Sequence, residues 1–291
     1  SMSQQKVALV TGASRGVGAG IARALGSLGY VVYITGRSEH SSNAIAWDGS
    51  HLGGTITETA AAVTAAGGHG IPLVCDHSDD TQVAKVFDTI KQNHGRLDML
   101  INNATHIHPQ LIEPKPFWEK ELAAQNILDV GLRSAYVASW HAAHIMVPQQ
   151  RGFIGFVSSF GGSCYMHGPG YGAQKAGLDK FAQDMGHDFE GTGVVAVSLW
   201  LGPQLTERAK IAAHTNPEQY TDFIAAAENP EFPGYIFDAL DQAENRLSFS
   251  GETLIGAEVA KTLGITDNGH ERPSYREMLG SPREKNPAAV Y

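Results

Sequence analysis

Short, continuous apolar runs separated by longer stretches of helical period constrain this chain more than any other feature. The runs are "KVALVTG", "VVYITG", "GIPLVCD", "LDMLINNA", "GFIGFVSS", "VVAVSLW" and "ETLIGA". Between them, 17–28, 56–66, 79–94 and 126–146 predict helices, and "YGAQKAGLDKFAQDM" predicts another. A strand that is apolar on both faces has to be covered on both, and parallel neighbours need a helical crossover between them. The pattern therefore predicts an α/β fold, a doubly wound three-layer sandwich around a parallel sheet of about seven strands. Such sheets bind ligands beyond the carboxyl ends of their strands. Gly12, Gly36, Asp76, Asn102, Ser158, Ser159 and Gly202 end the runs, so they are expected to line one cleft.

The 33 glycines are spread along the 291 residues without forming a linker. We therefore expect one domain over 1–291, with a core over 2–267 and an irregular tail over 268–291. A formal charge of −9 argues against nucleic acid, which selects a basic face. Cys75 and Cys164 are too few for a disulfide framework, and no apolar run reaches the roughly 18 residues of a membrane span. No secretory signal segment precedes the first run, so a cytoplasmic protein is expected. His106/His108 and His141/His144 lack a third ligand at metal-site spacing, so no metal is expected.

In "VALVTGASRGVGAGIARAL", Gly12, Gly16 and Gly18 stand between the first strand and its helix. Glycines there let a phosphate approach the backbone closely, and the helix start offers free N–H groups and the positive end of its dipole. Ser14, Arg15 and Val17 belong to the same turn. On a parallel sheet this is a Rossmann-type dinucleotide site.

Gly-x-x-x-Gly-x-Gly, "NNA" after the fourth run and Tyr171-x-x-x-Lys175 after the fifth, in that order, resemble the short-chain dehydrogenase/reductase family. The resemblance spans 6–267. Gly131, "VYITGR" and "VSLW" are similar to its dehydrogenase/reductase member one branch. The likeness implies an oxidoreductase moving a hydride between nicotinamide and a small carbonyl or alcohol substrate. A non-catalytic NAD(P)-binding regulator on the same fold is the alternative, although such a protein has no need of an acid/base pair.

Tyr171 is then the acid or base, with Lys175 lowering its pKa and anchoring the ribose; a strand-end serine polarises the substrate oxygen. Ser158 stands 13 residues before Tyr171, the family's usual spacing, whereas Ser159 with Gly162 fits its Ser-x-x-Gly pattern. Successive strand residues face opposite ways, so only one serine can serve, and Ser159 is preferred. Gly36 occupies the place of the carboxylate that would hold an NAD ribose, and Arg37 follows it, with Arg15 nearby. NADP(H) is therefore expected, with NAD(H) as the other choice. By resemblance Asp76 meets the adenine amino group with His77 beside it, Asn102 and Ala104 flank the adenine ribose, and Gly202 and Thr206 reach the nicotinamide carboxamide.

The chain departs from the family at Gly131, where an asparagine usually supports a water relay to the lysine. Two readings are open: tight helix packing, or a kink that frees a backbone carbonyl to hold the water. The resemblance also implies a substrate lid at about 204–245 and a homodimer or homotetramer built on the helices of Tyr136 and Tyr171. The insertion 38–55 is expected either near the adenosine end or as a plain surface loop, and the tail over a neighbouring subunit.

Overall fold

The computed structural model describes residues 5–46, 48–215 and 217–291; residues 2–4 of the expected core, Trp47 of the insertion and Asn216 of the lid lie outside the described residues. Seven strands form one parallel sheet: β1 (Val7–Val10), β2 (Val31–Gly36), β3 (His69–Val74), β4 (Met99–Asn102), β5 (Gly152–Ser158), β6 (Val194–Trp200) and β7 (Thr253–Ile255). Their order, β3-β2-β1-β4-β5-β6-β7, reverses direction between β1 and β4 and opens a crevice there.

Alternation along each strand feeds two cores. Ala8 and Val10 join Ile21 and Leu25 of α1 (Gly16–Ser27), Val63 of α2 (Ile56–Ala65) and Phe237 of α8 (Phe232–Gln242). Val7 and Leu9 join Phe87 of α3 (Asp80–His94), Ala138 of α4 (Ser134–Gln149) and Leu178 of α5 (Pro169–Asp188). The central strands β1, β2, β4, β5 and β6 are covered on both faces, which is why they read as unbroken apolar runs, whereas the edge strand β3 is partly exposed.

The helix expected over 126–146 is broken. Regular helix begins only at Ser134, after a wide turn over Leu128–Arg133 in which Val130 (φ −106°, ψ 90°) and Gly131 (φ 153°, ψ −48°) leave helical geometry. A side chain at Gly131 would meet Gln174 Nε2 at 2.5 Å. The Val130 carbonyl released by this break accepts the His106 amide at 2.8 Å. The kink, rather than close packing of a continuous helix, is what this glycine provides.

The insertion 38–55 is not a free surface loop. Arg15 donates from Nε to the Gly53 carbonyl (3.1 Å) and from Nη2 to Ser38 and Ser42 (3.0 Å each). The Gly53 amide in turn donates to Glu207 Oε2 (3.1 Å), at the head of α6 (Glu207–Thr215). With α7 (Pro217–Ala226) and α8, α6 makes up the helical part of 204–245, the span expected to be a lid. The tail lies along its own chain. After α9 (Gly256–Thr262) and the short α10 (Arg276–Leu279), Arg283 donates to the Gly162 carbonyl (3.2 Å), Lys285 pairs with Glu252 (2.6 Å) and Tyr291 reaches His187 (2.8 Å).

Candidate active site

Three residues four apart on α5, Tyr171, Lys175 and Asp179, share the face turned toward the ends of β5 and β6. Tyr171 Oη lies 2.7 Å from Ser159 Oγ. Lys175 Nζ sits 5.2 Å from the centre of the Tyr171 ring and donates to the Val157 carbonyl (3.2 Å). Ser158 points the other way and donates to Asp179 Oδ1 (2.8 Å). Asp179 also accepts from Ser198 Oγ (2.7 Å) and Trp200 Nε1 (3.0 Å) of β6. The two adjacent serines thus meet different residues of the same α5 face, Ser158 from the last position of β5 and Ser159 from the turn that follows it.

The loop between β5 and α5 is shaped by these side chains. A Cβ at Gly161 would fall 2.5 Å from the Tyr171 ring, and one at Gly162 would fall 2.5 Å from Asp179 Oδ2. His167 sets its ring edge against Tyr171, with centroids 5.1 Å apart.

Burial governs the protonation of this cluster. It raises the Tyr171 phenol, against the pull of the Ser159 hydrogen bond. It lowers Lys175 to about 8, opposed by Asp179, and lifts Asp179 to about 6 despite its three donors and Lys175. The resemblance implies a phenol lowered by Lys175; in the structure the phenol is raised, desolvation being the largest cause.

At the head of the crevice Gly12 (φ 63°) brings the turn so close to β4 that a Cβ would lie 2.6 Å from Ala104 Cα. The "NNA" segment braces this turn: Asn103 Nδ2 donates to the carbonyls of Thr11 (3.2 Å) and Gly12 (3.0 Å), and Thr11 Oγ1 accepts the amides of Asn103 and Ala104 (3.0 Å each). A Cβ at Gly18 would strike Asn103 Nδ2 at 2.4 Å. Helix α1 begins at Arg15 with no side-chain cap and no acid in its first turn, so its N–H groups and positive dipole end remain available to an anion. Ser14 is buried in this turn, Val17 is partly covered, and Gly16 (φ 61°) faces Thr206, whose Cγ2 would lie 3.9 Å from a Cβ there. The cradle fits a dinucleotide pyrophosphate.

Other expected contacts are placed differently. Asn102 is buried and donates to Ser139 Oγ of α4 (3.1 Å), so its side chain faces the core rather than a ribose. His77 bonds Thr35 Oγ1 (2.7 Å) in the interior, where burial takes it down to about 4. Asp76 accepts Ser78 Oγ (2.7 Å) and the Ser78 amide (2.9 Å), which hold its carboxyl below the usual range. A Cβ at Gly36 would lie 2.9 Å from Ile56 Cγ2, so a side chain there requires Ile56 to shift, and Arg37 is exposed beside it. Arg15 is lowered mainly by burial, with Arg37 adding to the effect. Gly202 backs onto a buried carboxyl, Glu228, whose Oε2 would be 2.7 Å from a Cβ there. Glu228 Oε1 accepts Gln204 Nε2 (2.6 Å).

Asp179 and Glu228 were missed from sequence. The first was detectable as the residue four beyond Lys175; the second lies in a lid of mixed polarity that offers no signal.

These elements define a nicotinamide-dependent oxidoreductase of the short-chain dehydrogenase family, to which the chain belongs: the family pattern matches residues 6–217. It is an enzyme acting on CH–OH and C=O groups. The chain is 38% identical over 274 residues to dehydrogenase/reductase SDR family member 1 of Mus musculus, covering 90% of this chain and 83% of that protein. Identity to the Homo sapiens protein of that name is 36% over 273 residues, with the same coverages. Among solved structures, a dehydrogenase from Xanthomonas campestris superposes with a TM-score of 0.74 at 25% identity, covering 98% of this chain and 100% of that one. An actinorhodin polyketide ketoreductase with NADPH shares the fold at 0.73 and 21% identity, covering 87% and 97%. Among the described residues no helix is long and apolar enough to cross a membrane.

Proposed function

We propose that this chain is an NADP(H)-dependent carbonyl reductase, reversible as an alcohol dehydrogenase, in which Tyr171 delivers or accepts the proton at the substrate oxygen. The observation that carries the reading is the 2.7 Å contact between Ser159 Oγ and Tyr171 Oη above a buried Lys175. A carbonyl oxygen received between these two hydroxyls is polarised by both, and Tyr171 completes the transfer. Ser159 rather than Ser158 takes this part, because Ser158 is committed to Asp179. Lys175 steadies the negative charge that develops on the phenol and reaches for the ribose. Bound nicotinamide supplies or takes the hydride.

The preference for NADP(H) over NAD(H) is supported by Gly36, which carries no carboxylate, and by Arg37 and Arg15 beside it. Gly12, Ser14, Gly16, Val17 and Gly18 would hold the pyrophosphate, Asp76 and Ala104 the adenosine, and Gly202 and Thr206 the carboxamide. Asn102 and His77 act from beneath, fixing their strand ends. Tyr136 and Trp140, exposed on α4, support a homodimer or homotetramer. Two unbridged cysteines suit the cytoplasm.

NADPH consumption with a panel of ketones and aldehydes tests the function. Turnover is expected with NADPH and is abolished in Tyr171→Phe. Tight NADPH binding with no turnover on any carbonyl, and no difference between wild type and Tyr171→Phe, would overturn it.

A further inference from the structure

Asp179 carries more than a packing contact requires. Joining a helix to two strand ends takes hydrogen bonds, which an uncharged side chain supplies without the cost of burying an anion. Here a nearly buried carboxyl collects Ser158 from β5 and Ser198 and Trp200 from β6. The loop beside it has a glycine at 162, where any Cβ would collide with Oδ2. One turn away, Lys175 is buried, and its described hydrogen bond is to the neutral Val157 carbonyl. The charged group opposing its desolvation is Asp179. A buried ammonium without a counter-charge gives up its proton, and a neutral lysine cannot stabilise a phenolate.

We infer that Asp179 is a positioning residue for the reaction, a counter-ion that keeps Lys175 charged beneath Tyr171 while pinning that turn of α5 to the ends of β5 and β6. This rests on the Tyr171/Lys175 reading proposed above. The titratable and charged groups around the cluster are Lys175 and Tyr171 on α5, Cys164 on the loop and Arg283, which approaches from the tail through the Gly162 carbonyl. Lys180 and Asp184 pair on the solvent side of α5.

The test is Asp179→Asn, close in size and neutral, with Asp179→Ser as a second uncharged variant. Carbonyl reduction needs Tyr171 protonated and Lys175 charged, so kcat/KM falls once the pair loses its first proton. Removing a nearby anion makes both groups release protons sooner, so the alkaline limb is expected to move down by about one pH unit, a tenfold change in proton concentration. The KM for the carbonyl should stay near wild type. Titration of the Lys175 ammonium by NMR of 13C-lysine-labelled protein, with Lys175→Met as the blank, should move by the same amount. That readout does not depend on turnover. If wild type proves inactive on every carbonyl, the functional reading fails while the NMR shift still decides this one. A limb and ammonium within about 0.2 units of wild type, with only the melting temperature lowered, would make Asp179 a mere staple. Failure of both variants to fold would assign it to structure alone and equally overturn the inference.

Discussion

Glu228→Gln is expected to stabilise the protein, by an amount that grows as pH rises from the carboxyl range to about 7 and is constant above it. Glu228 is 2% exposed beneath Gly202, and burial raises its carboxyl to about 7, with Asp267 adding to the rise against the Gln204 hydrogen bond. Its Oε2 and the Oε1 of Gln204 are buried without hydrogen-bond partners, two acceptors facing a shortage of donors. Below the unfolded carboxyl range both states are protonated and the group contributes fully. Between there and about 7 the folded state keeps a proton that the unfolded chain has lost, so stability falls as pH rises, levelling off above 7. A rise of that size corresponds to about 3 kcal/mol at most, and we expect about 2 kcal/mol after local relaxation. Glutamine stays neutral throughout, and its amide can donate toward Gln204 Oε1. At about 2 °C per kcal/mol for a chain of this size, the melting temperature should rise by about 4 °C at pH 8 and by only about 1 °C at pH 5. Calorimetry at constant ionic strength across that range measures it. A variant less stable than wild type at pH 8, or a gain that does not vary with pH, would refute the reasoning.

Two further outcomes are expected. Gly131→Asn restores the family's side chain to a backbone at φ 153° with Gln174 Nε2 2.5 Å from the new Cβ, so denaturant unfolding should show a loss of about 2–4 kcal/mol; unchanged stability would mean the turn is not held in this shape. Arg37→Asp should lower kcat/KM with NADPH by roughly tenfold or more and raise it with NADH, and an unchanged cofactor ratio would remove Arg37 from the phosphate site.

The sheet was legible because burial on both faces leaves no polar residues within most strands, and the glycine turn because its role is sterically explicit. What stayed hidden depended on direction or on distant contacts. Asn102 and Asn103 are adjacent and chemically identical; which one faces the core follows from the phase of β4, and the core position went to Asn102. The choice between Ser158 and Ser159 turns on which residue of α5 each one meets, Asp179 for the first and Tyr171 for the second. Helical periodicity runs through Gly131 without recording its backbone angles. Asp179 sits in a polar helix where a carboxylate reads as solvated until β6 lies against it. The path of the tail is set by Arg283, Lys285 and Tyr291 reaching residues more than thirty positions away.

Gly53 spends its two backbone groups in opposite directions, its N–H on Glu207 at the head of α6 and its carbonyl on Arg15 in the glycine turn. An outward swing of α6 therefore pulls on Gly53, and Gly53 pulls on Arg15. The segment 38–55 thus lies as a strut between α6 and the glycine turn, so a displacement of either is felt at the other through one residue's backbone.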